Sequence, residues 1–164
     1  MKKIFQATLF MITTSLFFIV SGCSKGGDST TTPPTTVTKT QLITSSDWGI
    51  AGAQYKAVSS SVWTDDYASM KACEKDNRII FRTNASYETN EGATKCSTTD
   101  PQILETGTWS FTQSETVLVV QATNGTQIFN ATIETLSTTS LIFSYNRVDT
   151  QSGITYQYKY SLSH

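Results

Sequence analysis

The sequence predicts an all-β domain, an eight-stranded antiparallel up-and-down β-barrel with one short helix between its first two strands. Three observations predict it. In the last run, Ile154, Tyr156, Tyr158, Tyr160 and Leu162 fall on one face, and Thr155, Gln157, Lys159 and Ser161 fall on the other. A period of two marks a half-buried strand. Eight such runs follow one another after Ser45, mostly separated by short turn signals. Consecutive hairpins with one apolar face lose their exposed edges by closing on themselves. A two-sheet β-sandwich fits the same alternation and stands as the alternative.

Taken in chain order, residues 1–22 read as a signal peptide. Lys2 and Lys3 precede an apolar run, Ile4 to Val20, of 17 residues. A membrane-spanning helix needs roughly 20, and a basic start with small residues at the end suits a cleaved secretory signal. Val20-Ser21-Gly22-Cys23 resembles the lipobox of bacterial lipoproteins. That resemblance implies cleavage before Cys23, lipid on its thiol and, usually, acylation of the new amine. One acyl chain anchors only marginally, whereas two or three on one cysteine hold stably. Ser24 stands where Asp, in many such lipoproteins, specifies the inner membrane, so the resemblance implies an outer-membrane anchor in the cell envelope. Residues 23–44 then read as a lipidated N-terminus and a Thr/Pro-rich tether. Ser29 to Thr36 has almost no apolar surface to bury, so disorder is expected.

Residues 45–164 read as the barrel. Asp47 to Tyr55 is a first strand containing Trp48 and Ile50. Within the segment that follows, Asp65 to Met70 reads as a short helix, its leading Asp complementing the helix dipole. Arg78 to Thr83 and Ser86 to Asn90 form a hairpin about Asn84-Ala85. Glu105 to Phe111 aligns Gly107, Trp109 and Phe111. Thr116 to Ala122 aligns Val117 and Val119. Asn124-Gly125 is a two-residue hairpin signal, and Gln127 to Leu136 aligns Phe129, Ala131 and Ile133. Leu141, Phe143 and Tyr145 share one face of the next run. The turn Asp149 to Gly153 joins that run to the last strand.

Charge and cysteines narrow the class. Loss of Lys2 and Lys3 with the signal lowers twelve basic residues to ten against thirteen acidic, net −3. No basic stripe suits nucleic acid. With Cys23 assigned to lipid, Cys73 and Cys96 remain as an even pair. In an exported protein such a pair is expected to form a disulfide; the competing metal site would need further ligands. The one histidine is His164, the last residue, expected to fray. General acid–base and nucleophilic chemistry usually draw on histidine. The carboxylate pairs Asp65-Asp66 and Glu88/Glu91 fall in polar surroundings. No enzyme activity and no cofactor or metal are expected.

The block Cys73-Glu74-Lys75-Asp76-Asn77, with Trp48, Phe81, Tyr87, Glu91-Gly92, Lys95-Cys96 and Gly107-Thr108-Trp109-Ser110, resembles the bacterial lipocalin-like lipoproteins from about Leu42 onward. The resemblance implies an eight-stranded up-and-down barrel, paired cysteines and at most a ligand cavity. Two departures stand out. True lipocalins carry Gly-x-Trp on the first strand, whereas Gly107-Thr108-Trp109 lies on the fourth. Ala85 replaces the usual Gly after Asn84, which implies a longer or more strained turn.

Eight strands enclose an interior that either fills with side chains or holds one small ligand. The candidate lining is Phe81, Trp109, Phe129, Phe143, Tyr145, Tyr156 and Tyr158, with Phe111 and Tyr160 also facing inward. Arg147 continues the face of Leu141, Phe143 and Tyr145. It either meets an anionic headgroup at the mouth or ends the strand in solvent. The expected function is that of a lipid-anchored envelope module for a small hydrophobic ligand. The alternative is a non-enzymatic interaction protein of the envelope, such as an adhesin, inhibitor or accessory subunit, with a filled core.

Overall fold

A computed structural model describes residues 36–123 and 128–164. The signal peptide, Cys23, the tether up to Thr35 and the Asn124-Gly125 turn lie outside the described residues.

The strands are β1 (Trp48–Ala57), β2 (Thr64–Asp65), β3 (Arg78–Phe81), β4 (Ser86–Asn90), β5 (Ile103–Thr112), β6 (Val117–Ala122), β7 (Ile128–Leu136), β8 (Ser140–Val148) and β9 (Thr155–Ser163). From β3 onward they pair in chain order; β1 pairs with β2, β3 and β9. Thus β1 and β3 to β9 form a closed, eight-stranded up-and-down barrel, while β2 is a two-residue addition to β1. Closure disposes of the sandwich: the β1–β9 ladder runs from Gly49↔Ser163 to Ala57↔Tyr156. The other seam is narrow, with only Trp48↔Ile79 and Gly49↔Arg78 joining β1 to β3. Beyond it, β2 pairs with Gln54 and Tyr55 and covers the edge of β1 that would otherwise template foreign pairing.

Register decides what faces inward, because residues directly opposed across a ladder share a side of the sheet. The pairs Phe81↔Tyr87, Trp109↔Val120, Leu118↔Ala131, Leu141↔Leu162 and Phe143↔Tyr160 all fall inside. This corrects the phase of β6. The four apolar residues Val117 to Val120 show no alternation of their own. Pairing with Trp109 and Phe111 turns Val120 and Leu118 to the core, and Val119, opposite Ser110 and Asn130, faces out.

A short helix precedes the barrel. α1 (Lys39–Ile43) starts at Thr38, which forms a capping box with Gln41. Ile43 is 0 % exposed and belongs to the core. Its carbonyl accepts from Trp48 Nε1 at 2.8 Å, and Lys39 Nζ donates to the Glu115 carbonyl at 2.6 Å. Residues 39–44, expected in the disordered tether, therefore belong to the domain. The mostly polar Lys39-Thr40-Gln41 hides the apolar anchor that follows. The C-terminus meets the same region: the His164 ring packs edge-on against Trp48, centroids 4.6 Å apart, where a free end was expected.

The insert between β1 and β3 differs in detail from expectation. Asp65 ends β2, and Asp65 Oδ1 accepts from the Ala68 amide at 3.1 Å. The helical turn that follows is a 3-10 turn over Tyr67–Ser69, shorter than Asp65 to Met70. A further short helix, α2 (Ala72–Lys75), comes next; the Glu74 carboxylate accepts from the Lys71 amide at 2.8 Å at its start. α2 carries Cys73, which is bonded to Cys96 with Cα atoms 5.1 Å apart. The disulfide ties the insert to the β4–β5 loop.

Candidate functional site

The barrel interior has two layers. Toward α1 it is filled by Ile43, Trp48, Leu118, Leu141 and Leu162, all within 1 % of complete burial. Further along the barrel lies a cavity of about 180 Å³, lined by Ile79, Phe81, Tyr87, Thr89, Glu105, Leu118, Val120, Phe129, Phe143, Tyr145 and Tyr160. Its size compares with the roughly 150 Å³ that admits benzene in an engineered apolar cavity. It falls below the roughly 300–1,000 Å³ of sites for drug-sized ligands.

One wall is an aromatic ladder. Phe129 stacks on Tyr145 with centroids 5.1 Å apart and lies 6.4 Å from Phe143. Phe143 stacks on Tyr160 at 5.8 Å, and Tyr145 lies parallel to Tyr160 at 6.3 Å. These spacings fall within the range in which aromatic pairs attract beyond their area burial. The ladder follows from β7, β8 and β9 placing every second residue inside at neighbouring heights. Burial pushes the Tyr145 and Tyr160 phenols up, so both stay protonated donors at neutral pH.

The opposite wall is more polar. Tyr87 lies across from Gly107 of β5, and a Cβ on Gly107 would strike the Tyr87 ring and the Gln121 carbonyl oxygen. Glycine at this position leaves room for the ring against the sheet. Next along the same face, Thr89 pairs with Glu105. Burial first, and then the neighbouring Glu105 carboxylate, push the Tyr87 phenol up. Glu105 is the one formally charged side chain in the lining.

Of the seven residues expected as lining and Arg147 expected at the mouth or strand end, four stand in the cavity: Phe81, Phe129, Phe143 and Tyr145. The other four stand elsewhere. Trp109 is buried beside it, edge-on to Phe81 and Phe111 at 5.7 and 5.3 Å, with Nε1 donating to the Arg82 carbonyl at 3.0 Å. An indole N–H needs an acceptor when buried, and the β3–β4 turn supplies it. Tyr156 and Tyr158 pair with Arg147 and Tyr145 on β8, and pack against Tyr55 of β1 at 5.9 and 6.1 Å. They belong to the rim above the cavity. Arg147 is exposed on the same rim, and its charge acts on the nearby Asp149, Tyr145 and Tyr160.

Tyr87, Thr89 and Glu105 join the lining without having been predicted there. A signal for Glu105 was present: the alternation that aligns Gly107, Trp109 and Phe111 puts Glu105 on the same face. Tyr87 required the β4–β5 register, which no local pattern supplies.

A closed antiparallel barrel with a ring-sized cavity among its inward side chains defines a class of small β-barrel proteins with a candidate ligand site. The family model of the lipocalin-like domain matches residues 41–143. The chain belongs to the lipocalin-like domain family. No curated protein matches it.

Proposed function

We propose that the domain is a non-enzymatic binding module for a small, ring-containing hydrophobic ligand, held at the cell envelope by lipid on Cys23. The observation that carries the binding part is the cavity of about 180 Å³ between an aromatic wall and a more polar one. Its apolar lining supplies the driving force, and the phenols of Tyr145 and Tyr160 and the Thr89 hydroxyl supply orientation. The anchoring part rests on the lipobox-like Val20-Ser21-Gly22-Cys23 and the basic, apolar segment before it.

Thermal unfolding with single-ring apolar compounds tests the binding part. A ligand present at a hundred times its dissociation constant stabilises by about 2.7 kcal/mol, which for a domain of this size raises the midpoint by several degrees. Val120→Phe, which fills the cavity, should abolish the rise. No rise with any such compound, together with a protein partner that co-purifies, would instead favour the filled-core interaction protein.

A further inference from the structure

We propose that the cavity selects a small aromatic amine in its cationic form: one ring on a short arm ending in an ammonium group. This deepens the binding reading above and rests on it. Three observations converge. The volume of about 180 Å³ suits a single ring with a short substituent. The lining holds the rings of Phe81, Tyr87, Phe129, Phe143, Tyr145 and Tyr160, and the negative face of an aromatic ring attracts a cation. The single charged group among them is the Glu105 carboxylate.

Glu105 has no cationic partner among the described residues, where the two ion pairs are Arg82–Glu88 and Lys159–Glu134. The 124–127 segment contains no Lys or Arg. Arg147, the candidate for an anionic headgroup, stands on the rim outside the lining, with Asp149 beside it. An anion entering the cavity would meet the Glu105 charge and the aromatic faces, both repulsive. An ammonium would meet both favourably, and a hydrogen bond to an ionised carboxylate is roughly twice as strong as a neutral one.

Calorimetric titration of the purified full-length protein with phenethylamine, phenethyl alcohol and phenylacetate tests this. All three share one ring and a short arm and differ in charge. The expected order is amine, then alcohol, then acid, with the amine about tenfold or more tighter than the alcohol, as befits a charge-assisted contact. In Glu105→Gln the ratio of amine to alcohol affinity should fall to near one. An amine no tighter than the alcohol overturns the inference and leaves the hydrophobic-ligand reading standing. So does a preference that survives Glu105→Gln. Failure of all three compounds to bind overturns both readings. Should Glu105→Gln not fold, salt dependence on the unaltered protein decides: amine affinity must fall with added salt while alcohol affinity does not, and equal responses overturn the inference.

Discussion

Ala85 shows how one residue records a conflict between local chemistry and the fold. It holds φ +64° in the β3–β4 turn, a left-handed conformation. Asn84 Oδ1 accepts from the Ser86 amide at 3.1 Å and so sets the turn, while the Ala85 carbonyl accepts from the Trp109 amide at 2.9 Å. A left-handed alanine costs about 1–2 kcal/mol, and the greater freedom of glycine in the unfolded chain offsets part of what relieving it would gain. Ala85→Gly should therefore stabilise the domain by about 0.5–1 kcal/mol, measured as a higher urea midpoint at unchanged slope. A lower midpoint would show that the turn carries no such strain. The strained turn implied by Asn84-Ala85 in the sequence is thus present. Glu105 was equally legible by alternation but easily passed over, because a carboxylate seldom faces a barrel interior.

At the scale of elements, the strands were legible and the segments between them were not. β4 spans the Ser86 to Asn90 expected from the sequence, and β7 and β9 depart from the expected runs by about a residue. In β1 the alternation breaks at a bulge between Ile50 and Gly52, which brings Ile50 and Ala53 to one face. The insert carrying α2 depends on distant partners: Asp76 Oδ2 accepts from the Thr94 amide at 2.9 Å and from its hydroxyl at 2.6 Å. The buried Glu91 accepts from the Cys96 amide at 3.2 Å. The disulfide closes this unit. Replacing both Cys73 and Cys96 by Ser should cost about 3 kcal/mol for a loop of this length, seen as a lower denaturant midpoint. A cost near zero would mean that the hydrogen bonds alone hold the insert.

At the scale of the whole molecule, closure of the barrel is independent of the anchor proposed for Cys23. The barrel buries its last free edges by pairing β1 with β9, and α1 and His164 cover one end. The proposed anchor lies outside this unit. With α1 counted in the domain, residues 39–44 of the 23–44 stretch expected as a tether belong to the folded unit. Cys23→Ser should yield a soluble or unprocessed protein on fractionation of cells. Processed protein that still sediments with membranes would count against the lipid anchor.

The sequence by itself determined the strand content, the run of consecutive hairpins and an even pair of cysteines, because alternation, turn residues and cysteine number are local or countable; closure into a barrel rather than a sandwich and the Cys73–Cys96 bond were decided by the tertiary structure. Tertiary structure alone decided the phase of β6, the place of Ile43 in the core and the side of the barrel on which Tyr87 meets Glu105. Those depend on register between strands, and register is set by which partners pack together across the barrel, a property that no single segment carries.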